Sequence, residues 1–171
     1  MSLLKRGSIA VVGAAESDLG QVAPHTTPVD LMAQATMRAL DDCGLTLKDV
    51  DGLFVAATQV RMGPMALAEY LGIKPKVFDG TQIGGSSFMS HVAHAQLAIQ
   101  MGACEVAVIA YGSTQRTVSR AAASSRDANP HEDPYKPFMP SSAYAMAASR
   151  HMHQYGTTRE QLAAVAVAAR E

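Results

Sequence analysis

The sequence predicts an α/β fold: a mostly parallel sheet laid down as β-α-β-α-β-α-β, followed by a loop and helical region. Three observations carry this. Short apolar runs rich in Val, Ile and Ala read as strands buried on both faces. Segments of helical period, with start and stop signals, alternate with them. Aromatics make up only 5% and there is no Trp, so the core must be Ala, Val, Ile and Met, which suits closely packed helices and parallel strands.

The elements follow in order. Ser8 to Ala15 (SIAVVGAA) is a continuous apolar run and predicts the first buried strand. Thr27-Pro28 opens a helix: Thr caps it, and Pro fits the first turn because its missing N–H has no helical partner there. Leu31, Met32, Ala35, Ala39 and Leu40 recur at helical spacing, and Cys43-Gly44 ends the helix with a left-handed glycine cap. Asp49 to Gly52 turns the chain into Leu53-Phe54-Val55-Ala56-Ala57, the second strand. Pro64 begins a short helix that stops at Gly72, and Lys76 to Asp79 is a short third strand. A Gly/Ser turn after Gly80 leads into a long helix from about Ser86 to Met101, ended by Gly102. Glu105 to Tyr111 (EVAVIAY) is the fourth strand.

Residues 1–112 therefore form the α/β core. Residues 113–171 are a loop and helical region of different character. Residues 113–140 hold four Pro and little periodicity, and they predict a functional excursion or small lid. Helix resumes from Ser141 to Gln154 and stops at Tyr155-Gly156. Thr157-Thr158-Arg159-Glu160 reads as a capping box, with Thr157 the cap and Glu160 its partner. The last helix, Gln161 to Arg170, carries no stop signal, so the sequence reads as ending within an element.

The 171 residues are 48% hydrophobic and 17% charged, too apolar for a disordered chain. Fourteen Lys+Arg against fifteen Asp+Glu leave a net charge of -1, which excludes a global basic field for nucleic acid or anionic lipid. Two Cys exclude a disulfide scaffold and a four-thiolate zinc site. No apolar run reaches the roughly 20 residues of a membrane span. The expected setting is soluble and cytoplasmic.

The residues with chemical potential are few. Cys43 and Cys104 both read as small buried hydrophobes. His91 and His94 stand at i, i+3 on the long helix; they lack further ligands at metal spacing and read as hydrogen-bonding or helix-packing groups. His151 and His153 face different ways on their helix, and His131-Glu132-Asp133 reads as polar loop. Arg116, Arg120 and Arg126 offer cations to a phosphate or simply to solvent. Gly84 and Gly85 permit close backbone approach by a ligand or tight helix–sheet packing, and Ser86 reads as the helix cap.

Three segments, taken together with the element order, resemble the N-terminal half of the thiolase superfamily, nearest to the sterol-carrier-protein-type (lipid-transfer-protein) thiolases. They are Ile9 to Ala14; Gly84-Gly85-Ser86-Ser87 with its Ala-rich helix, Gly102 and the strand Val106 to Gly112; and Arg150 to Ala163, where Tyr155-Gly156-Thr157-Thr158 is the most specific part. The resemblance implies a βαβαβαβ layer with helices on both faces, a lid-like region after the fourth strand, and a second similar half. It implies acyl-CoA as substrate with no further cofactor, acyltransferase chemistry of the acetyl-CoA acetyltransferase kind in lipid or sterol metabolism, and a homodimer or other homo-oligomer. Tyr144 falls where such proteins place a residue against the pantetheine arm.

That chemistry uses a Cys at the start of the long helix, where unpaired N–H groups and the macrodipole favour the thiolate. The family's spacing puts that position at Gly85, beside Ser86, and neither is Cys. No catalytic residue is therefore assigned, and Gly84, Gly85, Ser86 and Tyr144 are the expected substrate-binding residues. Two alternatives stand beside acyl transfer. One is a Cys-less thiolase-fold retro-aldolase that cleaves a β-hydroxyacyl-CoA with a partner of the OB-fold type. The other is a non-catalytic acyl-CoA-binding or assembly module. The other active-site groups of such enzymes come from the second half, so these residues alone are expected to be inactive, and the apolar side of the central helix is expected to drive self-association.

Overall fold

The structure is a computed structural model that describes residues 5–118 and 129–170. The chain divides into two compact units, residues 1–125 and 126–171.

The first unit holds a three-stranded parallel sheet, order β2-β1-β3. Its elements are α1 (Pro28–Cys43), β1 (Gly52–Val55), α2 (Gly63–Leu71), β2 (Val77–Asp79), α3 (Ser87–Gln100), β3 (Ala107–Ala110) and the short α4 (Gln115–Val118). The central strand β1 sets the register: Leu53 lies opposite Phe78 on one side and Val108 on the other. Helices cover both faces. Leu53 and Val55 point into a core with Met32 of α1 and Leu67 of α2, all at most 1% exposed. Side chains alternate along a strand, so Phe54 points the other way and meets His91 of α3, with ring centroids 6.0 Å apart. Ser87, His91 and Ala95, at i, i+4 and i+8, are the buried stripe of α3.

The caps of α1 form as the sequence predicts. Thr27 accepts from the Asp30 N–H at 3.2 Å, Asp30 reaches back to the Thr27 N–H at 2.7 Å, and Gly44 closes the helix at φ 71°. Asp51 organises the entry edge of the sheet. Its Oδ1 accepts the N–H groups of Glu105 and Val106 at 2.8 and 2.9 Å, and its Oδ2 accepts Lys76 Nζ at 3.0 Å. Burial pushes the Asp51 carboxyl up, but these donors outweigh it and hold its pKa below the usual carboxylate value. They also explain why β3 starts at Ala107 and not at Glu105: the two preceding amides already donate to a side chain.

The predicted first strand does not form. Residues 9–15 pair with no strand, and Val11 and Val12 are 81% and 62% exposed. Both edges of β1 are taken by β2 and β3, and the segment adds to neither of their outer edges. The segment is tied down at its ends instead. Gln100 Nε2 donates to Ser8 Oγ at 2.6 Å, and Gly13 lies so close under α1 that an added Cβ would stand 2.2 Å from the Ala39 carbonyl oxygen.

In the second unit, a 3-10 turn (Asp133–Tyr135) precedes α5 (Ser141–Tyr155) and α6 (Arg159–Ala168), and neither helix has a buried residue. The capping box is shifted by one residue from the expected position: Thr158 caps α6 and Gln161 reciprocates, not Thr157 and Glu160. Thr157 is diverted because its hydroxyl bonds His151 Nδ1 at 2.9 Å, beside the left-handed Gly156 that ends α5. The expected cations Arg120 and Arg126 lie outside the described residues.

Candidate functional site

Parallel α/β sheets bind ligands beyond the carboxyl ends of their strands. Here that edge carries the ends of β1, β2 and β3 and the amino end of α3. Gln59, just after β1, bridges to the segment after β3: its Nε2 donates to Thr114 Oγ1 at 3.1 Å, and its Oε1 accepts the Thr114 N–H at 3.0 Å. Phe88 of α3 packs edge-on against Tyr111 at the end of β3, ring centroids 5.3 Å apart.

Between β2 and α3 the chain forms a tight turn over residues 80–86. Gly84 takes the left-handed conformation, φ +78°. Gly85 does not, and a Cβ added there meets nothing within 4 Å. Ser86 stands at the cap position but is exposed and makes no capping bond. Ser87 instead braces the turn that precedes the helix. Fully buried, it accepts the Ile83 N–H at 2.9 Å and donates to the Gly84 carbonyl at 2.7 Å. No side chain takes the expected capping role, although the Ser86 carbonyl accepts the Ser90 N–H at 3.2 Å. The first turn of a helix leaves N–H groups with no intrahelical partner, and no acidic side chain stands in the first turn of α3. Gly84 and Gly85 leave the approach to that turn open.

Two histidines of α3 reach back to the same turn. His91 is fully buried and donates from Nε2 to the Thr81 carbonyl at 3.0 Å, while its Nδ1 has no partner among the described residues. His94 Nδ1 pairs with Asp79 Oδ2. Asp79 Oδ1 accepts the Thr81 N–H at 2.7 Å. Burial pushes the Asp79 carboxyl up, but Thr81 and His94 outweigh it and hold its pKa below the usual value. The i, i+3 spacing of the histidines was visible in sequence. Their acceptors, Asp79 and Thr81, were not, because nothing local links a strand end to the second turn of the next helix.

No thiol stands at this edge. Cys104 lies just before β3 and Cys43 ends α1, so both sit at the opposite, entry end of the sheet. Cys104 is buried, and burial pushes its thiol up. Tyr144 lies in α5 of the second unit and is 72% exposed. A groove of about 590 Å³ runs along α1 past His25, Asp30, Arg38 and Tyr70, and none of the expected site residues lines it. Among the described residues no group of three His, Cys, Asp or Glu could hold a metal, and no helix is long and apolar enough to cross a membrane.

The sheet, its two helical layers and the glycine turn at the amino end of α3 make a thiolase-like α/β fold. Over 88% of this chain and 40% of the other, it superimposes on the Ltp2-ChsH2(DUF35) aldolase with a TM-score of 0.61 and 26% identity. Xanthomonas campestris OleA, bound with cerulenin, shares the fold at 15% identity and a TM-score of 0.51, over 56% of this chain and 30% of that one. In sequence, the chain is 30% identical to the 17-hydroxy-3-oxo-4-pregnene-20-carboxyl-CoA lyase of Mycobacterium tuberculosis, over 96% of this chain and 45% of the relative. It is 30% identical to the steroid side-chain-cleaving aldolase of Thermomonospora curvata, over 100% and 46%. It is 29% identical to the acetyl-CoA acetyltransferase of Methanothermobacter thermautotrophicus, over 93% and 43%. The chain thus spans somewhat under half the length of these curated relatives. No protein-family model matches it.

Proposed function

We propose that this chain supplies the thioester-binding half of a thiolase-fold enzyme acting on acyl-CoA, and that its reaction is retro-aldol cleavage of a β-hydroxyacyl-CoA. The observation that carries this reading is the glycine at position 85, with both cysteines at the far end of the sheet. An acyl-enzyme needs a nucleophile at the helix start; a retro-aldol does not. A base takes the β-hydroxyl proton and the C–O bond becomes a carbonyl. The Cα–Cβ bond breaks, and its electron pair passes to the thioester as an enolate, which is then protonated at Cα. The products are a shorter acyl-CoA and a ketone or aldehyde. The amino end of α3 favours the negative oxygen of the enolate, and Gly84 and Gly85 leave room for the thioester. In this reading the base comes from outside the residues described.

The lyase and aldolase among the relatives support this choice, and they support a steroid or other lipid as the ketone released, with the cleaved side chain leaving as the acyl-CoA. A partner protein of OB-fold type, homo-oligomeric assembly and a cytoplasmic setting complete the proposal. The pairing in the Ltp2-ChsH2(DUF35) aldolase favours the partner. Acyl transfer is the second reading, favoured by the acetyltransferase relative and by the open space where a nucleophile's Cβ would stand.

The test joins this chain to the second half its relatives carry, adds the partner and supplies a β-hydroxyacyl-CoA. Release of a ketone or aldehyde supports the lyase reading. Acyl exchange between thioesters without such release replaces it with transfer. If calorimetry finds no acetyl-CoA binding to the assembled protein, both readings fail.

A further inference from the structure

The Asp79–His94 pair has the form of a base dyad. The carboxylate accepts from Nδ1. His94 lies seven residues into α3 from Ser87, and its side chain leans back toward the amino end of the helix to meet Asp79.

The two histidines converge on one residue, Thr81, His91 directly and His94 through Asp79. Thr81 is held from both sides: its N–H by Asp79 Oδ1 at 2.7 Å, its carbonyl by His91 Nε2 at 3.0 Å. Asp79 is itself fixed through its second oxygen by His94. Ser87 fixes the next part of the same turn at Ile83 and Gly84. From this geometry we infer that Asp79, His91 and His94 are positioning residues that lock Thr81, and through it the residue 80–86 turn, so that Gly84 and Gly85 face the substrate in one conformation. A glycine pair has the widest backbone freedom of any dipeptide, so an open turn built on it needs such external restraint. The inference rests on the proposed thioester contact for its purpose, but not for its geometry.

The two histidines use different nitrogens, which makes the test specific. Asn places its amide nitrogen near Nδ1, and Gln places its own near Nε2. His94→Asn and His91→Gln should therefore preserve the bonds, while His94→Gln and His91→Asn should break them. Amide hydrogen exchange is read at Thr81 and Ile83, with Glu105 and Val106, at the other end of the sheet, as the control for global loosening. The breaking variants should speed exchange at Thr81 at least tenfold and leave the control amides unchanged; the preserving variants should stay within threefold of wild type. Acetyl-CoA affinity is measured in parallel and should weaken about tenfold in the breaking variants only. If all four variants exchange alike at Thr81, or the control amides accelerate equally, the positioning role is wrong. If His91→Asn does not fold, His94→Gln against His94→Asn decides alone. Failure of wild type to bind acetyl-CoA overturns the proposed function, while the exchange pattern still judges the positioning.

Discussion

Replacing Gly85 with Cys places a thiol at the start of α3. The structure predicts both the cost and the consequence. An added Cβ meets nothing within 4 Å, and Gly85 is not in the left-handed conformation. The substitution should then cost nothing in packing and should stabilise by up to about 1 kcal/mol, because it restricts the unfolded chain. The new thiol stands where helix N–H groups favour an anion, an effect of about 0.3–1 kcal/mol at an exposed site. At 1.36 kcal/mol per pH unit, its titration midpoint should lie roughly 0.2–0.7 below that of a reference thiol. The reference is Ser149→Cys, exposed within α5. Thiolate absorbance is followed against pH, and the difference from wild type removes Cys43 and Cys104. A midpoint equal to or above the reference would mean that the amino end of α3 does not stabilise negative charge, and the enolate argument would go with it. A loss of more than about 2 kcal/mol in denaturant unfolding would show that the space beside Gly85 is not open.

Other outcomes follow from the same structure. Gly112→Ala puts a Cβ 2.2 Å from the Pro28 carbonyl oxygen and 2.8 Å from Met32 Cγ, so urea unfolding should show a loss of about 3 kcal/mol or more. Asp51→Ala removes the acceptor of two backbone amides and should cost about 2–3 kcal/mol, the exposed Lys76 pair contributing little. Because the folded pKa of Asp51 is lowered, its contribution is complete above the unfolded value of about 3.9 and fades as pH falls through the folded one. The stability gap between wild type and Asp51→Ala should accordingly begin to narrow as pH falls below about 4, a narrowing that urea midpoints measured down the acid limb would detect.

Local signals were enough for most elements. Thr27-Pro28 and Gly44 bounded α1 because capping depends on residues within one turn of each other. The strands β1, β2 and β3 were legible from their apolar residues, with the start of β3 trimmed by Asp51. Ser8 to Ala15 shows where composition stops. Its apolarity reports a demand for burial but does not name what covers it, and here the segment lies against α1 and α3 without joining the sheet. At the candidate site, Gly84 and Gly85 were legible from their place before a long helix. Ser86 reads as the cap because it precedes the helix, but residue type alone does not aim its hydroxyl, and no side chain caps α3. Tyr144 was legible only through the family likeness.

The sequence by itself determined the alternation of strand and helix, the glycine turn at the head of α3 and the absence of Cys there. Each is a property of neighbouring residues. The tertiary structure alone decided that Asp51 gathers three strand entries, that both cysteines lie at the opposite end of the sheet, and that Asp79, His91 and His94 meet at Thr81. Those are contacts between residues 10 to 55 positions apart, or placements on opposite edges of a sheet, and only packing of the whole layer brings such groups within hydrogen-bond distance or keeps them apart.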